Sequence, residues 1–196
     1  MQDGNERRSN RERTQTTRTA LLAAARKLFV EKGYAETGTP ELVAAARLTR
    51  GALYHHFPDK QALFRAVIEA EAAAVAAEIE QGSAASAAPV DALLAGGRAY
   101  VEAMRAAGRT RLLLLDGPAV LGRGAMDEID ARHGNRTLRE GLAAAMRSGA
   151  IARLPLDALT AQLGAVFDRA ALAIEQGGAA EDQMQAIAAL IEGLKA

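Results

Sequence analysis

Apolar residues recur at three- and four-residue intervals along most of this chain, the period of amphipathic helices. Leu21, Leu22, Ala25, Leu28 and Phe29 make one stripe and predict a helix from about Thr16 to Lys32, stopped by Gly33. Thr39-Pro40 reads as a start signal, with Thr39 as the cap and Pro40 at the first helical position. Leu42, Val43 and Ala46 then give a short second helix that is over by Arg47. Thr49 caps a third, running to Phe57. Pro58 ends it, and Asp59 caps a long fourth helix whose inner face carries Leu63, Val67, Ala70 and Ala74. After the small-residue stretch GSAASAAP at 82–89, five more helical segments follow, at about 90–107, 109–116, 124–148, 155–176 and 180–195. Val and Ile never alternate over a strand's length, so the fold class is all-α, with about nine helices.

Composition supports that reading. Alanine, the best intrinsic helix former, supplies 47 of the 196 residues. There is no Cys, which excludes disulfides, thiol nucleophiles and thiolate metal sites and fits a reducing compartment such as the cytoplasm. The first dozen residues are polar and charged, unlike a signal peptide, and the purest apolar run is only Leu112 to Leu115, far too short for a bilayer span.

The formal charge is zero, but residues 1–65 hold 12 Lys/Arg against 7 Asp/Glu, and residues 66–196 hold 12 against 17. A basic first third on an acidic remainder points to an anion-binding module joined to something else. Residues 1–13 lack apolar periodicity and predict a disordered basic arm. Residues 14–60 make the basic module, and 61–196 a second helical domain.

Helices two and three, joined by a tight turn, have the spacing of a helix-turn-helix, which lays its second helix in a DNA major groove. At about 100° per residue, one arc of the third helix carries Arg50, Gly51, Tyr54 and His55, and the other Ala52, Leu53, His56 and Phe57. The first arc suits DNA. Arg50 can donate to guanine or phosphate, Gly51 lets the backbone approach bases, and Tyr54, His55 and Lys60 can donate to phosphates. Thr49 and the helix start offer N–H groups to another phosphate. His55 and His56 are adjacent and point about 100° apart, so they do not converge on a metal, and no acidic cluster or nucleophile accompanies them.

The stretch TRTALLAAARKLFVEKGYAETGTPELVAAARLTRGALYHHFPDKQALF, residues 17–64, resembles the DNA-binding domain of tetracycline-repressor-like (TetR-family) regulators, with LYHHF followed by DK as the specific signature. The resemblance implies a homodimer on a palindromic DNA operator, usually as a repressor. It implies that Thr49, Arg50, Gly51, Ala52, Tyr54, His55, His56 and Lys60 line the DNA, with Thr39 capping helix two and touching a phosphate. For His56 the helical wheel says otherwise and places it on the inner arc. The family usually has Gly in the turn where this chain has Arg47. Either the turn avoids positive φ or it tolerates the cost, about 1 kcal/mol, and Arg47 can reach the DNA backbone.

In the second domain the last two segments carry apolar stripes: Leu156, Leu159, Leu163, Val166, Phe167, Ala170 and Ile174, then Met184, Ile187, Leu190, Ile191 and Leu194. Such stripes are ordinarily core. The resemblance implies that these two helices pair with their copies in a four-helix interface, placing Leu159, Leu163, Val166, Ala170, Ile174, Met184, Ile187, Ile191 and Leu194 between copies, with Gly164, Ala165 and Ala171 allowing close approach. It also implies a small-molecule effector whose binding shifts the fourth helix and releases the operator. Candidate lining residues are Tyr100, Met104, Leu112, Leu115, Met126 and Phe167, with Arg98, Asp116, Arg123, Asp127 and Asp168 as polar fixers.

The expected function is therefore a ligand-responsive DNA-binding regulator, cytoplasmic, with no catalytic residues, metal, cofactor or membrane partner. A nucleoid-associated protein of the same fold without an effector is the alternative, and it predicts a filled interior. An enzyme built on His55 or Asp116 lacks the convergent groups that catalysis needs.

Overall fold

The computed structural model describes residues 3–84 and 88–195, with the side chains of residues 3–11 and 13 outside the described set. Among the described residues it is all-helical apart from one isolated bridge, Ile151 to Lys195. The chain forms two compact units, up to Ile68 and from Glu69 onward.

In the first unit, α1 (Asp3–Glu36) begins well before Thr16, so the backbone from Asp3, expected as an irregular arm, is helical. Gly33 interrupts α1 with φ 84° and ψ 167°, a conformation glycine adopts freely, so the sequence's stop signal lies where expected. Thr37 is fully buried just beyond. Its hydroxyl donates to the Gly33 carbonyl at 2.7 Å and satisfies an acceptor that the break leaves open. α2 (Thr39–Ala45) is capped by Gly38. Thr39 is its first helical residue and makes no side-chain cap, a one-residue correction to the sequence reading, with Pro40 following. α3 (Arg50–His56) and α4 (Lys60–Ser83) start on the side chains of Thr49 and Asp59, as expected. Phe29 and Phe64 meet edge-on at 5.1 Å, and Leu21, Leu42, Leu53, Phe57, Leu63 and Ile68 complete an apolar core around them. Three aromatic rings and five aliphatic side chains hold the helices of this unit together, because each fully buried one is worth about 1.5–3 kcal/mol.

The second unit contains α5 (Pro89–Met104), a π-helical segment (Arg111–Asp116), α6 (Gly117–Leu121), α7 (Arg123–Arg132), α8 (Gly134–Arg147), α9 (Leu156–Glu175) and α10 (Ala180–Glu192). The single helix expected at 124–148 is two. His133 leaves helical geometry (φ −122°, ψ −101°), with Gly134 next to it and its ring Nε2 held 2.7 Å from Glu69 Oε1. α5 packs on α8, α9 and α10 around Leu93, Val101, Leu142, Leu163, Phe167 and Ile187. Arg109, buried before the π-helical segment, bonds Glu71 at 3.0 Å, Glu78 at 2.9 Å and the Ala103 carbonyl at 2.6 Å. A guanidinium this deep is tolerable only with its donors satisfied. It ties the second-unit part of α4 to the end of α5.

Candidate functional site

α3 shows the two arcs read from its sequence. Thr49 takes an extended backbone, and its Oγ1 accepts from Ala52 N at 3.1 Å, fixing where α3 begins. Arg50, Gly51, Tyr54 and His55 are exposed. Leu53 and Phe57 are buried, and Ala52 and His56 half-buried between the arcs. Burial, then the neighbouring His55 and Arg18, hold the His56 imidazole below the ordinary histidine value, so it is neutral at pH 7. Arg18 is itself occupied over the Phe57 ring, 4.6 Å from its centroid.

The turn into α3 resolves the question of Arg47. Its φ is 54°, the left-handed conformation. Arg47 N bonds to the Ala44 carbonyl at 3.1 Å, and Leu48 N bonds to the Val43 carbonyl at 2.9 Å. That pair of bonds is the Schellman motif, with Arg47 in the place glycine normally takes. The turn keeps the geometry and bears the strain, and the Arg47 side chain is exposed. Lys60 is placed differently from the sequence reading. Its ammonium donates to the carbonyls of Tyr34 at 2.9 Å and Thr37 at 3.0 Å, and lies 4.2 Å from the Tyr34 ring centroid. It is engaged inside the unit.

The second unit holds a cavity of about 280 Å³. Tyr100, Met104, Phe167 and Asp168, all named from the sequence, line it together with Val75, Ile79, Leu93, Leu113 and Asp130. The other sequence candidates lie off its wall. Leu112 and Met126 are buried in the core, Leu115 is half exposed, and Arg98, Arg123 and Asp127 are exposed. Asp116 Oδ2 stands 3.3 Å from Arg111 Nε without hydrogen-bond alignment, which leaves that oxygen buried and unbonded.

Glycines shape the wall. Gly96, Gly97, Gly134, Gly141 and Gly164 all line the cavity. A Cβ on Gly97 would lie 2.6 Å from Phe167 Cε1, and one on Gly141 2.8 Å from Leu93 Cδ2, so both let neighbouring helices close up. The Gly96-Gly97 pair inside a helical pattern was the available signal for this.

At one end Tyr100 Oη donates to Asp168 Oδ1 at 2.6 Å. Burial raises the Asp168 carboxyl, while the Tyr100 bond and Arg123 oppose the rise. Burial, then the charges of Asp168 and Asp127, push Asp130 up to about 7. The Tyr100 hydroxyl is pushed well above its usual value by burial and Asp168. Asp130 escaped the sequence reading because only the folded arrangement of α7 and α9 sets it beside Asp168. Among the described residues no group of three or more His, Cys, Asp or Glu could hold a metal ion, and no helix is long and apolar enough to cross a membrane.

The residues expected between copies are mostly used inside the chain. Leu163, Ala170, Met184, Ile187 and Ile191 are buried in the second unit's own core, and Leu159, Val166, Ile174 and Leu194 pack against it. The exposed positions of α9 and α10 include small residues, Ala161, Ala165, Ala186 and Ala189, and Leu190 at 52% exposure, beside charged ones such as Asp157, Arg169, Glu181 and Asp182.

Residues 21–67 match the profile "Bacterial regulatory proteins, tetR family", and residues 90–195 match "Tetracyclin repressor-like, C-terminal domain". A crystal structure of a TetR-family transcriptional regulator from Pectobacterium atrosepticum is 32% identical, covers 94% of this chain and 97% of its own, and superposes with a TM-score of 0.73. The HTH-type transcriptional repressor BepR of Brucella suis is 42% identical over 52 residues, which is 26% of this chain and 25% of BepR. The HTH-type transcriptional regulator AcrR of Shigella flexneri is 40% identical over 62 residues, 32% of this chain and 29% of AcrR. These curated relatives are thus matched over only about a quarter to a third of their length.

Proposed function

This chain belongs to the TetR family of transcriptional regulators, and from that premise we propose that it is a cytoplasmic repressor that reads a palindromic operator as a homodimer and leaves it when a small molecule fills the second unit's cavity. It does no catalysis in this reading. The observation that carries the DNA half is the exposed arc of Arg50, Gly51, Tyr54 and His55 on a helix pinned by Thr49 and set by the Arg47 turn. Arg50 reads base edges, Tyr54 and His55 hold phosphates, and Gly51 allows close approach. In this reading Thr39 and the exposed Arg47 touch the DNA backbone. Lys60, engaged with Tyr34 and Thr37, positions the end of α1 instead.

Two copies pair through the small-residue faces of α9 and α10, since the large residues of those helices already serve each chain's own core. α4 carries both first-unit core residues, Leu63 and Phe64, and cavity-lining residues, Val75 and Ile79. A ligand acts by binding one conformation of this helix more tightly than another, and can shift the balance only by that difference. A DNA-compacting protein without an effector would have no use for a cavity of this size.

The test is selection of bound duplexes from a random library by the purified protein at moderate salt. An enriched palindrome supports the dimeric reader and gives its half-site spacing. Enrichment of no sequence, with binding that fades as salt rises, sinks it in favour of nonspecific DNA binding.

A further inference from the structure

The cavity wall carries charge of one sign. Its charged lining residues are Glu80, Asp130, Glu140 and Asp168, and among the described residues no Lys, Arg or His lines it. Glu80 and Glu140 share one counter-ion, Arg136, at 2.5 and 3.3 Å. The other two carboxyls have none so close. Asp168 accepts from the neutral Tyr100 hydroxyl. The Asp130 carboxyl has no hydrogen-bond or salt-bridge partner among the described residues. The charged groups that bear on it are Asp168 across the cavity, and Asp127 and the exposed Arg123 on its own helix. Beside these carboxyls Tyr100 and Phe167 meet edge-on, 5.8 Å between centroids, and Met104, Leu113 and Val75 supply apolar wall. Two carboxyls with no paired cation, influenced only by the exposed Arg123 and set next to aromatic rings in a mostly apolar hole, repel anions and gain most from a ligand that brings a positive charge.

We propose that the effector is a small organic monocation, its charge held by Asp130 and Asp168 and its apolar body against Tyr100 and Phe167. The assignment rests on reading the cavity as the effector site. At about 280 Å³ the space is near the lower limit of ligand pockets, about 300 Å³, so the body is no larger than a substituted ring. A cation favours ionised Asp130, whose carboxyl stands at about 7. Binding near neutrality therefore expels a proton, and affinity rises with pH by about tenfold between pH 6 and 8.

The experiment is calorimetric titration of the full chain with three probes of one shape class: benzyltrimethylammonium, its uncharged isostere neopentylbenzene, and 3-phenylpropanoate. The quaternary cation cannot titrate, so any pH trend belongs to the protein. The cation is expected to bind at least tenfold more tightly than the hydrocarbon at pH 8, with less preference at pH 6, and phenylpropanoate not at all. Asp130→Asn combined with Asp168→Asn should erase the preference and keep hydrocarbon binding. If that double variant does not fold, the charge series and pH trend on the native chain still decide. Equal or tighter binding of the neutral or anionic probe overturns the cation assignment and leaves the cavity as an effector site. Binding of no probe of any charge overturns the effector reading of the cavity, and the assignment with it.

Discussion

Lys60 donates to the Tyr34 carbonyl at 2.9 Å, so a lysine that the sequence places toward DNA closes the end of α1 onto the start of α4. Its second bond, to Thr37 O at 3.0 Å, and its seat over the Tyr34 ring leave its ammonium committed. Lys60→Met is expected to lower stability by about 1–2 kcal/mol, since the two carbonyls lose a charged donor. Urea unfolding at pH 7 measures it, and an unchanged midpoint would mean the bonds are not made in solution.

Arg47 bears left-handed strain that glycine would not. Arg47→Gly should raise stability by up to about 1 kcal/mol, the relief of strain being partly offset by the added freedom of the unfolded chain. Arg47→Val should lower it, because a branched Cβ suits positive φ least. The midpoint at constant denaturant slope reads both. On DNA, Arg47→Gly should weaken binding to every duplex alike and lower the salt slope by about one.

Gly51 is open on the exposed arc: a Cβ there would have Thr49 Oγ1 as its nearest neighbour, at 3.8 Å. Gly51→Ala should leave the free protein folded and up to about 1 kcal/mol more stable, since Ala is the better helix former. Operator affinity should nevertheless fall by about tenfold or more, because in the proposed complex the methyl would stand where the backbone meets bases. Thermal melting paired with operator titration separates the two effects. Full affinity in a stable Gly51→Ala protein would rule out the close approach.

Arg50→Ala should lose about 1–3 kcal/mol at one operator position and relax selectivity there. Titrations against the operator and a scrambled duplex decide the point. Equal losses on both would make Arg50 a phosphate contact only.

Asp130 gives the protein a pH signature. Its folded value, about 7, lies above the ordinary aspartate value, 3.8. The native state therefore holds this proton more tightly than the unfolded chain. The resulting stabilisation is present at low pH and is lost as pH rises from about 4 to 7. Asp130→Asn removes the dependence, so the variant should gain on the native chain at pH 8, by at most about 4 kcal/mol, and gain little at pH 4.5. Urea melts at the two pH values test it, and a gain of equal size at both contradicts the assignment.

Much of the first unit was legible in the sequence because its signals are local. A cap at Thr49, a stop at Pro58, a cap at Asp59 and a two-arc wheel act within a few residues, and the folded α3 follows them. The one-residue miss at Thr39 arose because Gly38, with no side chain to signal it, can also begin a helix. The second unit was legible only as helices. An apolar stripe such as Leu163, Ala170, Met184 and Ile187 has the same period whether it faces its own core or a partner, and here it faces its own core. The cavity depends on pairings across long separations, Tyr100 with Asp168 and Gly97 with Phe167, which no period encodes. His133 breaks its helix while bonded to Glu69, 64 residues away.

The sparse aromatic content of the chain has a practical side. The chain has no Trp and three Tyr, so its ultraviolet emission comes from Tyr34, Tyr54 and Tyr100 alone. One lies under the Lys60 clamp, one is exposed on the recognition helix, and one lines the cavity with its hydroxyl on a carboxylate. A phenol bonded to a carboxylate emits weakly, and recovers when the carboxylate finds another partner. The protein thus carries a native optical probe at each of its three working parts. Changing tyrosines to Phe two at a time would let clamp, DNA face and cavity each be followed alone, without a dye.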